Sequence, residues 1–98
     1  MPAGASGKKA VQAVITGTVQ GVWFRAWTVE QASARGLDGW VRNRRDGSVE
    51  AVFAGDAALV DDMIKACHRG PDAAEVAGVA VSPAADMPAP GFRKLPSA

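Results

Sequence analysis

The residues most able to do chemistry lie in one short stretch, Gly17-Thr18-Val19-Gln20-Gly21-Val22-Trp23-Phe24-Arg25. It joins a β-type run to a helical run. Backbone N–H groups at the start of a helix have no intrahelical acceptors. A loop that curls such groups inward makes a nest for an anion. Gly21 opens φ values closed to other residues and lets backbone approach a ligand closely. Arg25, in the first helical turn, adds a planar, permanently charged fork suited to phosphate oxygens. The chemistry is that of an anion site, and phosphate is the best match.

A second candidate is Asn43, near the end of Gly39-Trp40-Val41-Arg42-Asn43. Its amide both donates and accepts, so it can hold a water beside a bound phosphate. That requires the strand carrying Asn43 to lie near the strand that feeds the glycine loop.

The elements that position these groups can be read from periodicity. Residues 10–16 form a β-type run with Val11, Ala13 and Ile15 on one face. Gly17 to Gly21 reads as a loop. Residues 23–35 turn helical, with Phe24, Trp27 and Ala32 near one stripe and Gly36 as the stop. Leu37 to Asn43 is a strand with Leu37, Gly39 and Val41 on one side. Asp46-Gly47 signals a hairpin turn, and Ser48 to Ala54 returns with Val49, Ala51 and Phe53 buried. Asp56 is positioned to cap a second helix that runs to about Arg69, with Val60, Met63 and Cys67 as its apolar stripe. Gly70-Pro71 closes it.

Residues 75–82 form a further strand, in which the three-residue spacing of Val76 and Val79 suggests a bulge. Pro83 to Pro90 is a Pro/Ala linker, and Gly91 to Leu95 offers a short edge strand anchored by Phe92. The order β-α-β-β-α-β predicts an α+β, ferredoxin-like two-layer sandwich: an antiparallel sheet with two helices on one face. Residues 1–8 read as a flexible N-terminal tail and residues 9–96 as one domain.

Composition bounds the function. The 98 residues suit one domain with a single core. A net charge of +1 favours neither nucleic acid nor membrane overall, so any functional charge is local. Cys67 is the only cysteine, which excludes an intramolecular disulfide and suits a reducing cytoplasm. No apolar run approaches the roughly 20 residues that span a bilayer, and the start of the chain lacks a signal-peptide core. A cytoplasmic monomer is expected.

The two stretches together carry a family resemblance. Residues 17–25 resemble the acylphosphatase signature Gly-x-Val-Gln-Gly-Val-x-Phe/Tyr-Arg at every fixed position. The stretch from Gly39 to Gly55 resembles the second signature of that family, through Gly39, Trp40, Val41, Arg42, Asn43, Gly47, Val49 and Gly55. Gly70-Pro71, Ala74 and Val76 are similar as well, and the likeness covers residues 10–81. Phe92-Arg93-Lys94-Leu95-Pro96 departs from the usual closing strand, which leaves the length and register of that strand open.

The resemblance implies hydrolysis of small acyl phosphates to carboxylate and inorganic phosphate, with no metal or other cofactor. It implies that the phosphoryl group is held by the backbone N–H groups of Gln20, Gly21, Val22, Trp23, Phe24 and Arg25 and by the Arg25 guanidinium. Asn43 would orient the attacking water, and inorganic phosphate or other anions would inhibit. A site this sparse is chemically sensible. The leaving carboxylate has a conjugate acid of pKa about 4 and needs little protonation to depart. Positioning and charge do most of the work in phosphoryl transfer.

The plainer readings are also informative. Outside its motif, Arg25 would be a solvated helix arginine and Asn43 a turn-flanking residue. Val19, Val22 and Phe24 are expected to pack and hold the loop's shape, and Gln20 to contribute its backbone rather than its side chain. Trp23, Trp27 and Trp40 are expected as core or site-wall aromatics, with Trp23 nearest a substrate's acyl part. Arg42, Arg44 and Arg45 read as a solvated strand end, His68 as an outward helix residue, and Cys67 as core. Two other functions compete. A non-catalytic anion-binding module of the same fold would not need Asn43. An RNA-binding sheet would need exposed aromatics and a basic face, which the strand patterns do not supply.

Overall fold

Buried Val11, Ala13 and Ile15 alternate with less buried neighbours along the first element, and the backbone follows them. In the computed structural model, which describes residues 7–98, the elements are β1 (Lys8–Thr18), α1 (Phe24–Ala34), β2 (Asp38–Asn43), β3 (Val49–Asp56), α2 (Ala57–Arg69), β4 (Glu75–Pro83) and β5 (Phe92–Lys94). The fold is the expected ferredoxin-like α+β sandwich. The strands are ordered β4-β1-β3-β2-β5, so β3 lies between the strands that carry the two candidate motifs. The four longer strands pair antiparallel, whereas β5 runs parallel to β2. The sheet is therefore mixed rather than wholly antiparallel. β4 and β5 occupy opposite edges, and the chain between them must cross the sheet.

That crossing uses the helix-free face. Ala84 to Pro88 lie against Gln12, Trp40 and Val52, which point away from the helices. Both faces of β3 are consequently buried: Val49, Ala51 and Phe53 toward the helices, Glu50, Val52 and Ala54 toward the other side. Alternation alone gave β3 one buried face. Glu50 is buried with partners, accepting from Gln12 Nε2 and pairing with Arg42 Nε at 2.8 Å.

The core lies on the helical face. Val11, Ala13 and Ile15 of β1, Val41 of β2 and the inward residues of β3 meet Phe24 and Ala32 of α1 and Val60, Met63 and Cys67 of α2. Thr28 is buried in place of an apolar residue, and its hydroxyl donates to the Phe24 carbonyl at 2.8 Å. Asp56 caps α2 as expected, accepting from Ala58 and Leu59. Residues 1–6 of the expected tail lie outside the described residues. Lys8 opens β1 opposite Asp56, and the Gly7 carbonyl accepts from Ala57 at 3.0 Å, so the ordered unit starts slightly earlier than the apolar run.

β1 also runs further than expected. Gly17 and Thr18 belong to the strand rather than the loop, because β4 continues to pair with them. A Cβ on Gly17 would sit 2.2 Å from the Glu75 carbonyl oxygen, so only glycine permits this approach. The register passes from Thr16↔Gly78 to Gly17↔Val76, which leaves Ala77 as the extra residue of a bulge. That bulge brings both Val76 and Val79 onto the core.

Gly39 has φ 141°, and an added Cβ would lie 1.8 Å from the Val52 carbonyl oxygen. Gly39→Ala is expected to destabilise the fold by ~3 kcal/mol or more in urea unfolding; a loss under ~1 kcal/mol would contradict this packing. Burial pushes the Cys67 thiol from 9.0 up to about 12, against a smaller opposing effect of Arg35. The native thiol is expected to resist a maleimide at pH 8 and to react fully in urea. Rapid native labelling would mean that α2 opens or is packed differently.

Candidate active site

Between β1 and α1 the backbone makes two left-handed turns. Gly21 has φ 75°, and Trp23, which precedes the first helical residue, has φ 66°. The second is costly for a residue with a side chain. Trp23 is 82% exposed. α1 has no side-chain cap and no acidic residue in its first turn. Among the described residues, no protein group accepts from the backbone N–H groups of Gln20 to Arg25. These donors stand at the positive end of a helix dipole. Val19, 1% exposed, anchors the loop to the core from below.

Arg25 projects from the first turn of α1. Its Nη1 donates to the Leu95 carbonyl at 3.4 Å, and no carboxylate pairs with it among the described residues. Asn43 closes β2 opposite Val49. Its backbone carbonyl accepts from Ala98 at 2.9 Å, while its side-chain amide makes no protein hydrogen bond among the described residues. Arg25 and Asn43 line one pocket of about 300 Å³, together with Gly21, Trp23, Phe24 and Lys94.

Gln20 joins the two halves of this site. Its Nε2 donates to the carbonyls of Arg44, at 2.8 Å, and Ser48, at 2.9 Å. Those carbonyls belong to the turn that follows Asn43. Asp46 braces the turn by accepting from the Ser48 backbone at 2.9 Å and the Ser48 hydroxyl at 2.6 Å. The Ser48 hydroxyl, then its N–H, holds the Asp46 carboxyl below its ordinary pKa. One side chain therefore clips the loop to the hairpin and fixes the spacing between Arg25 and Asn43.

Of the residues singled out by sequence, Gly21, Trp23, Phe24, Arg25 and Asn43 meet at the pocket. Val22 packs against the core, and the Gln20 side chain turns to the hairpin. Sequence reasoning gave Gln20 only a backbone role. Its partners lie 24 and 28 residues away, and no local pattern announces them. Trp27 meets Phe24 edge-on at 5.3 Å, and Trp40 lies on the helix-free face with Arg42 4.9 Å from its ring, so neither walls the pocket. Arg42, Arg44 and Arg45 border a separate depression, and His68 is exposed. Lys94 was not anticipated. Its signal was the two-residue spacing from Phe92, which puts both on one strand face.

The acylphosphatase family profile matches residues 11–94. The chain belongs to the acylphosphatase family. An acylphosphatase of Rhizorhabdus wittichii is 57% identical over 83 residues, covering 85% of this chain and 84% of that protein. One from Rhodospirillum rubrum is 54% identical over 83 residues, covering 85% and 91%. The structure of an acylphosphatase from Coxiella burnetii superposes with a TM-score of 0.86 at 28% identity, covering 90% of this chain and 93% of that one. The chain is thus an enzyme of the acylphosphatase class, whose substrates are small-molecule acyl phosphates. No helix among the described residues is long and apolar enough to cross a membrane.

The Gln20 clip can be tested without turnover. Gln20→Ala removes two partly buried hydrogen bonds and is expected to cost about 1–3 kcal/mol in urea unfolding. It should also speed amide exchange in residues 44–48. Unchanged stability and exchange would mean that the clip does not restrain the hairpin.

Proposed function

We propose that this enzyme hydrolyses the carboxyl–phosphate bond without a metal, using the loop donors, Arg25 and Asn43. The observation that carries the reading is the convergence on one pocket of Arg25 and Asn43, beside the loop N–H groups; among the described residues Arg25 has no acidic partner, and neither the Asn43 amide nor those N–H groups have a protein partner.

The phosphoryl oxygens bind the N–H groups of Gln20, Gly21, Val22, Trp23, Phe24 and Arg25. The Arg25 guanidinium spans two of these oxygens, and the Leu95 carbonyl steadies it. Asn43 holds the attacking water by accepting a hydrogen bond from it, opposite the leaving carboxylate. Negative charge spreads over the phosphoryl oxygens in the transition state, where fixed donors stabilise it most. The carboxylate leaves unprotonated, and the proton from water passes to a phosphate oxygen of the substrate. The protein acts as a monomer in the cytoplasm, and inorganic phosphate competes with substrate for the same donors.

Phosphate release from acetyl phosphate in EDTA tests this directly. Arg25→Ala is expected to lower kcat by about 10³-fold or more and to abolish phosphate inhibition. Asn43→Ala is expected to lower kcat by about 10²-fold or more while phosphate still inhibits. If Asn43→Ala weakens phosphate binding and spares kcat, the water-orienting role is wrong. Loss of wild-type activity in EDTA would overturn metal independence. A non-catalytic anion module would show phosphate binding without turnover.

A further inference from the structure

Alternate residues of a strand face opposite sides. In β5, Phe92 faces the helices and stacks on Phe53 at 5.5 Å. Lys94 shares that face, where α1 packs against β5, and it lines the pocket. The backbone places it beside Val41 in the parallel pairing with β2. The pocket thus holds two cations, Arg25 and Lys94, and among the described residues no acidic one lines it. Lys94 forms no ion pair among the described residues.

The phosphoryl group already has its donors in the loop and Arg25, on the α1 side. Lys94 comes from the facing strand. The pocket, about 300 Å³, is lined by Trp23 and Lys94 as well as by the loop and Arg25. A substrate whose phosphoryl group sits on the loop donors places its acyl part in the same pocket, within reach of Trp23 and Lys94.

We propose that Lys94 is a specificity-determining residue that binds a second anionic group on the acyl chain. The preferred substrates are then acyl phosphates whose acyl part bears a carboxylate or phosphate. This rests on the acyl phosphate hydrolysis proposed above and adds which acyl phosphates are favoured.

The test compares acetyl phosphate with succinyl phosphate, whose far carboxylate supplies the second anion, in wild type, Lys94→Met and Lys94→Arg. Because Lys94 is exposed, the expected effect is modest. Lys94→Met should raise KM for succinyl phosphate about three- to fivefold. Acetyl phosphate kinetics and inhibition by inorganic phosphate should stay within about twofold. Lys94→Arg should restore the preference, and added salt should erase it in wild type. Equal losses on both substrates and on phosphate inhibition would make Lys94 a phosphoryl contact and overturn the proposal. No change on any of them would make it a bystander whose stem only covers apolar surface. Wild type inactive on acetyl phosphate would instead overturn the hydrolytic reading and the Lys94 role with it.

Discussion

Unpaired backbone donors at a helix start dictate much of this structure. A run of N–H groups without protein acceptors is unfavourable unless water or an anion answers it. Here the run from Gln20 to Arg25 is kept open by left-handed backbone at Gly21 and Trp23, and by a helix that begins with no cap and no acid. Everything around it resists collapse. Val19 pins the loop to the core, the pairing of Gly17 and Thr18 with β4 beyond the bulge fixes its entry, and Gln20 ties it to the β2–β3 turn. The strain at Trp23 persists because the neighbouring structure over-determines it.

The same constraint accounts for how few side chains the site contains. An acyl phosphate already has a good leaving group, so catalysis reduces to holding charge and aiming water. In the proposed mechanism backbone donors do the first with no side-chain entropy to lose, and Arg25 adds a full charge. Asn43 reaches the pocket from a different strand, and its distance from Arg25 depends on the hairpin. The Gln20 amide and the Asp46–Ser48 brace set that distance rather than any contact between the two residues.

Most of the scaffold was legible in the sequence, for identifiable reasons. Val11, Ala13 and Ile15 alternate, Val60, Met63 and Cys67 recur at helical spacing, and Gly36 and Gly70 stop the helices. Asp46-Gly47 marks a turn whose chemistry is local. The loop, Arg25 and Asn43 were legible as motifs, and their meeting at one pocket needed the fold. What escaped depends on distant partners. The second buried face of β3 exists because the linker crosses it, and Glu50 is tolerable there because Gln12 and Arg42 reach it. The parallel β5 and the pocket position of Lys94 follow from where that crossing ends. The role of the Gln20 side chain depends on carbonyls of the hairpin, which no spacing rule connects to it.

In the proposed mechanism the backbone donors from Gln20 to Arg25, with the Arg25 side chain, form the phosphoryl cradle. Titration of the enzyme with inorganic phosphate, followed residue by residue in amide ¹H–¹⁵N spectra, tests it most directly. Saturable shifts are expected to concentrate in the amides of residues 20–25 and the Arg25 guanidinium, and to be lost in Arg25→Ala. Saturable shifts centred elsewhere, for example at Arg42, Arg44 and Arg45, with residues 20–25 unmoved, would contradict it.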